Sequence, residues 1–409
     1  MTGETQKPLL LSNVRPMAFG QPKSGPAGNL GTDETTDILI GEDGRIAAIG
    51  QGLAVPGGTE RVDGKGAWMS PGWIDLHVHI WHGGTDISLR PSECGAERGV
   101  TTLVDAGSAG EANFHGFREY IIEPSKERIK AFLNLGSIGL VACNRVAELR
   151  DIRDIDLDRI IECYAENSEH IVGIKVRASH VITGSWGVTP VKLGKKIAKI
   201  LKIPMMVHVG EPPALYDEVL EILGPGDVVT HCFNGKAGSS IMEDEDLFDL
   251  AERCASEGVR LDIGHGGASF SFKVAEAAIA RGLLPHSIST DLHGHSLNFP
   301  VWDLATTMSK LLSVGMPFDN VVNAVTHAPA DVIKLSMDDR LAVGARADFT
   351  IFDLVDADLE ATDSNGDVSR LTRLFEPRFA VIGAEAITAS RYIPRARRLV
   401  RHSHGYAYR

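Results

Sequence analysis

The middle of the chain is rhythmic. Between residues 71 and 336, eight apolar runs of strand length recur: GWIDLHVHI, GVTTLVDAG, IKAFLNLGS, HIVGIKVRAS, IPMMVHVGE, DVVTHCFNG, VRLDIGHGG and HSISTDLHG. Most are separated by stretches whose apolar residues repeat at helical spacing, such as VKLGKKIAKILK, ALYDEVLEIL, EDLFDLAERCASEG and FKVAEAAIARG. The runs are continuous rather than alternating, which is the pattern of strands buried on both faces of a parallel sheet. Eight such units in succession predict an α/β fold, a (β/α)8 TIM barrel. No repeat with a period of about 20 to 50 residues interrupts them, which argues against a solenoid.

The two ends of the chain have another texture. LLLSNVRPMAF, TDILIGEDGRIAAIG and ERVDGKGAWM alternate short apolar runs with turn signals, and Asp43-Gly44 between alternating runs is a hairpin signal. A similar pattern returns late, in GARADFTIFDLVDADLE and RFAVIGAEAITASRYI. This predicts a small discontinuous β-sandwich domain built from residues 8–70 and 337–400, with the barrel at 71–336. A chain of 409 residues also exceeds the roughly 200 to 250 residues that one domain usually holds.

Composition narrows the partners. Against 41 Lys+Arg stand 54 Asp+Glu, a formal net charge of -13 that repels nucleic acid and anionic membranes. A small-molecule substrate is the better expectation. PLLLSNV is too short for a signal peptide, and no window approaches the roughly 18 apolar residues of a membrane span. Cys94, Cys143, Cys163, Cys232 and Cys254 are scattered without a CxxC pair, as for reduced thiols. Together these features predict a cytoplasmic protein.

Two imidazoles stand out in the first barrel run, PGWIDLHVHIWHGG. On a strand, residues two apart point the same way, so His77 and His79 share one face and Leu76 and Val78 the other. The ends of later runs supply company: Lys175 in GIKV, His208 in MMVH, His231 in VVTH and Asp291 after SIST. Barrel active sites are built at that rim. Each residue alone has a plain explanation, as a hydrogen-bonded core histidine, a helix N-cap or a snorkelling lysine. Four histidines, an aspartate and a buried lysine together are costly to bury without a compensating ion.

At this point the chain resembles the amidohydrolase superfamily in its binuclear-metal form, over nearly its whole length. PGWIDLHVH, Lys175, His208, His231 and Asp291 fall in the family order. Within the superfamily it is most similar to the dihydroorotase-like amidohydrolase/deacetylase branch, notably in PSECGAERGVTTLVDAGSAG. The resemblance implies two divalent metal ions, zinc for preference. His77, His79 and Asp291 would hold the more buried ion, His208 and His231 the more exposed one, and a carbamate on Lys175 would bridge them. It implies attack by a metal-bridging hydroxide, with Asp291 as general acid/base. Imidazoles and carboxylates suit zinc, and burial can supply the neutral amine that carbamate formation needs. A homo-oligomer is compatible with the family.

Arg177 lies two residues after Lys175 and should share its face. Either it neutralises nearby acids or it grips a substrate carboxylate with its fork. The second option points to a small acid bearing an acyl group, such as an acetylated 2-amino or 2-hydroxy acid. His265, ending the seventh run, is expected to contact the substrate or to support the site. Cys232 reads as a small core residue, and His293 and His295 as loop residues. Glycine-rich HGGTD, DAGSAG and NGKAGSS fall in rim loops without matching a P-loop. The basic tail RYIPRARRLVRHSHGYAYR reads as a solvated or subunit-contacting end.

Three rivals remain. Cyclic-amide hydrolysis of the dihydroorotase or hydantoinase kind uses the same ligands. HVGE, with Glu211 three residues after His208, resembles the acid/base motif of one-metal deaminases, which generally lack the bridging lysine. A relative that kept the barrel and lost the chemistry would typically lack ligands that are all present here.

Overall fold

The computed structural model describes residues 6–17, 34–143, 145–337 and 341–394. The basic tail beyond residue 394, and with it the far end of the expected second domain, lies outside the described residues.

The N-terminal strands are β1 (Leu9–Pro16), β2 (Thr36–Ile40), β3 (Ile46–Gly50), β4 (Glu60–Asp63) and β5 (Trp68–Pro71). The barrel strands are β6 (Trp73–Val78), β7 (Val100–Ala106), β8 (Arg128–Asn134), β9 (Ile171–Ala178), β10 (Met205–Val209), β11 (Val228–Thr230) and β12 (Arg260–Asp262). Among the described residues the barrel is followed by β13 (Asp348–Thr362), β14 (Val368–Ile382) and β15 (Glu385–Thr388).

The terminal strands make one sheet in the order β15-β14-β13-β5-β1-β2-β3, with β4 beside β1. β1 is its pivot: Leu9 to Leu11 pair with β2 on one side, Leu9 to Ser12 with β4 on the other, and Arg15 and Pro16 with β5. Leu9, Leu11, Ile38, Met69, Phe349 and Val381, drawn from both halves, share one apolar core. The sheet domain therefore joins the two ends of the chain.

β6 to β12 form a parallel sheet in chain order. Every residue of β6 and of β7 is buried, in keeping with their unbroken apolar sequence. Helices return the chain on the outside. Thr189–Leu201 buries Val191, Ile197 and Ala198, and Glu245–Ser256 starts where the Asp244 carboxylate accepts the Leu247 N–H at 2.7 Å.

The eighth run closes the barrel without forming a regular strand. It makes single parallel bridges, Ser287 to Asp262 and Leu292 to Val78. Its main chain is bonded on both sides, with Ile263 N–H to Ser287 O at 3.1 Å and Asp291 N–H to His77 O at 2.7 Å. A regular ladder fails because Asp291 has a φ of 48°, which no extended strand accommodates. Side chains complete the seam. Thr290 donates its N–H and Oγ–H to buried Asp75, at 3.0 and 2.6 Å, and Ser287 and Ser289 donate to Asp262 at 2.6 and 2.7 Å.

The β13–β14 hairpin is long, 15 residues in each strand, and packs along the helix Leu304–Ser313. Its turn reaches the barrel loops: Phe272 N–H donates to Asp363 at 2.9 Å and Ser364 N–H to Phe270 O at 3.0 Å. Among the described residues no helix is long and apolar enough to cross a membrane.

Candidate metal centre

Strand ends bring the expected ligands together inside the rim. His77 is on β6 with His79 just beyond it; Lys175 is on β9, His208 on β10, and His231 directly follows β11. The Oδ1 atom of Asp291 lies 3.3 Å from His77 Nε2 and 3.1 Å from His79 Nε2. His231 Nε2 is 2.8 Å from His208 Nδ1, and Lys175 Nζ is 3.2 Å from His77 Nε2. His77, His231 and Asp291 each place a ligand atom within 4.8 Å of the others.

Outer partners set which ring nitrogen faces inward. Thr230 Oγ–H donates to Asp262 at 2.7 Å, so the same oxygen accepts from His77 Nδ1 at 2.9 Å. His231 Nδ1 donates to the Gly264 carbonyl at 2.6 Å. Both rings thus present an unprotonated Nε2 to the centre, the form that binds a metal. His79 Nδ1 is 2.9 Å from Ser108 Oγ. Buried Asp105 fixes that pair by accepting the N–H of Ile80 at 2.9 Å and of Ser108 at 2.7 Å.

The charges are arranged for a cation. Burial, aided by the nearby Lys175 ammonium, keeps His77 well below its ordinary pKa, and burial holds His231 down to about 3. Burial opposes ionisation of Asp291, yet the facing imidazoles hold its carboxyl well below the usual carboxylate range. Burial also lowers Lys175 to about 7, making a neutral amine accessible near neutral pH.

Two of the expected ligands sit in unusual backbone. His231 and Asp291 have φ angles of 70° and 48°, left-handed values that cost non-glycine residues energy and cluster at functional sites. Glycines make room beside them and beside the lysine. A Cβ at Gly107 would lie 2.7 Å from Lys175 Cγ, and one at Gly266 would lie 2.5 Å from Asp291 Oδ2.

Arg177 and His265 take places of their own. Arg177 forms a bidentate pair with Glu148, Nε to Oε1 at 2.7 Å and Nη2 to Oε2 at 3.0 Å. That pair neutralises a buried acid, one of the two options open in the sequence, and Nη1 is the nitrogen outside it. His265 turns inward: it is fully buried, with Nδ1 2.9 Å from Gly266 O and Nε2 2.8 Å from Lys310 Nζ. Both nitrogens are engaged within the protein, which leaves neither of them free to bond a substrate. Glu211 is held by Lys236, at 2.7 Å, and by Ser179. His293 lies near the site, its ring centroid 6.4 Å from that of His79.

Sequence reasoning missed Glu148, Thr230, Asp262 and Lys310. Asp262 carried a signal, a lone acid ending the apolar run VRLD. Lys310 carried another, as the one charge in the helix LATTMSKLLS. Glu148 had none, being one of several charges in an irregular loop.

A barrel with histidine, lysine and aspartate converging at its rim, flanked by a sheet domain from both termini, is the arrangement of a class of barrel hydrolases. The chain belongs to the amidohydrolase family, whose model matches residues 68–385, and it is a hydrolase. It is 85% identical over 409 residues, the full length of both chains, to a deacetylase of Brucella anthropi. A crystal structure of a dihydroorotase is similar at 83% identity with a TM-score of 0.91, covering 96% of this chain and 100% of that one. A crystal structure of an adenine deaminase follows at 34% identity with a TM-score of 0.82, covering 93% and 99%.

Proposed function

We propose that this chain is a metal-dependent deacetylase that removes an amide- or ester-linked acyl group from a small carboxylate-bearing substrate, such as an acetylated 2-amino or 2-hydroxy acid. The observation that carries the reading is the convergence of the unprotonated Nε2 atoms of His77 and His231 with Asp291 and the buried Lys175. The 85% identical deacetylase of Brucella anthropi supports the choice of reaction.

The donor set fits a pair of divalent ions. His77, His79 and Asp291 would hold one, His208 and His231 the other, and Lys175 as its carbamate would lie between. An unmodified ammonium there would be repelled by cations, whereas a carbamate is anionic and bidentate. Imidazole and oxygen donors suit zinc. When bound, such ions polarise a carbonyl and lower the pKa of water toward neutrality.

The chain's own groups do the rest. Asp291 turns Oδ1 toward the imidazoles, and Gly266 leaves space beside Oδ2. Oδ2 takes the proton of the water as its oxygen bonds to the acyl carbon. It returns that proton to the nitrogen or oxygen that leaves as the acyl bond breaks. Arg177 offers Nη1 to the substrate carboxylate while Glu148 fixes the plane of the guanidinium.

Ring opening of a cyclic amide is the second reading, favoured by the dihydroorotase at 83% identity. Deamination is disfavoured at Glu211. Its carboxylate is engaged by Lys236 at 2.7 Å and by Ser179, and Lys175, which one-metal deaminases generally lack, stands in the centre. The test is to incubate zinc-loaded protein with N-acetyl and O-acetyl 2-substituted acids and, separately, with dihydroorotate. Acetate release with kcat/KM of about 10⁴ M⁻¹s⁻¹ or more is expected; ring opening without acetate release would sink the deacetylase reading.

A further inference from the structure

We infer that Lys310 is a positioning residue for the centre: it anchors the turn Gly264 to Gly266, which holds His231 and borders Asp291. The inference rests on the metal-centre reading above.

Lys310 lies on the helix Leu304–Ser313 and is fully buried. Its Nζ has three acceptors, His265 Nε2 at 2.8 Å, Pro300 O at 2.8 Å and Thr362 O at 2.9 Å. Two are carbonyls, which only accept, so an ammonium satisfies all three and donates to His265 as well. That fixes the proton of His265 on Nδ1, facing Gly266 O at 2.9 Å. Phe270 stacks on the ring with centroids 4.6 Å apart. The imidazole is therefore held at both nitrogens and on one face.

The turn on either side of His265 reaches the ligands directly. Gly264 O accepts from His231 Nδ1 at 2.6 Å, which leaves Nε2 as the donor atom for a metal. The N–H groups of His265 and Gly266 donate to Ser289 O and Thr290 O at 3.1 and 2.9 Å, immediately before Asp291. Ser364, in the hairpin turn, donates to Gly266 O at 3.1 Å. Lys310 thus ties the loop at Pro300 and the hairpin at Thr362 to the segment that orients a metal ligand and the proton carrier. A purely packing role would be served better by an apolar side chain, since burying a charge is expensive unless its bonds do specific work.

The test compares Lys310→Met and Ser364→Ala with the wild type in the full chain loaded with zinc. Zinc retained against a graded chelator, melting temperature, and kcat and KM are measured separately. Loss of a group that orients a metal ligand typically weakens metal binding about 10- to 100-fold. Lys310→Met should show a loss of that order, with kcat reduced and KM within about twofold. Ser364→Ala should move the same way by less, near the wild-type melting temperature; should Lys310→Met fail to fold, this variant decides. Zinc retention and kcat equal to wild type, even with a lower melting temperature, would overturn the proposal alone. A wild type that retains no zinc would overturn the metal-centre reading and the proposal with it.

Discussion

Arg177 gives two of its nitrogens to Glu148, at 2.7 and 3.0 Å, and Glu148 is almost completely buried. The pair lies beside the candidate centre, so its two parts separate by mutation. Arg177→Met should destabilise the fold by about 3 to 5 kcal/mol, because it strands a buried carboxylate. Removing both charges, in Arg177→Met with Glu148→Met, should recover most of that stability. KM for an acylated acid should stay raised about tenfold or more in the double variant, with kcat changed far less. A double variant with wild-type KM would remove the substrate carboxylate from the reading.

Asp291 combines a ligand oxygen with a proton-carrying one. Asp291→Asn keeps a weaker oxygen donor and loses the base. It should keep most of the bound zinc by elemental analysis while turnover falls by about 10²-fold or more. Normal turnover would take Asp291 out of the chemistry.

Lys175 is expected to act through its carbamate. Lys175→Ala should lose zinc and activity together, and a short carboxylate such as formate or acetate should restore part of both. Full activity without added carboxylate would show that no carbamate is needed.

The Glu211–Lys236 pair carries a pH signature. The folded-state carboxyl of Glu211 is depressed from 4.5 to about 2. Its stabilisation is therefore present above pH 4.5 and is lost as pH falls toward 2. Melting curves of wild type and Lys236→Met should differ most at about pH 6 and converge as the pH drops through that window. A gap independent of pH would mean that the ion pair contributes nothing.

Much of this was legible in the sequence, for a physical reason. Continuous apolar runs mark strands buried on both faces, and polar residues at their ends mark the rim, so His77, His79, Lys175, His208, His231 and Asp291 could be placed from strand periodicity. The irregular backbone of the eighth segment, read as a strand, could not be foreseen. The left-handed φ of Asp291 depends on contacts with His77 and Gly266, which are distant in the chain. Glu148 was invisible because an irregular loop carries no periodicity to say which of its charges points inward. His265 looked like a rim residue from its position after the seventh run. Its inward turn is set by Lys310, 45 residues later, on a helix where a lysine would ordinarily face solvent.

The most direct test of the central claim is metal content per chain, by elemental analysis of protein produced with added zinc and purified without chelators. The arrangement of two histidine groups around Lys175 calls for close to two equivalents. Essentially none, persisting after zinc and bicarbonate are restored, would contradict it.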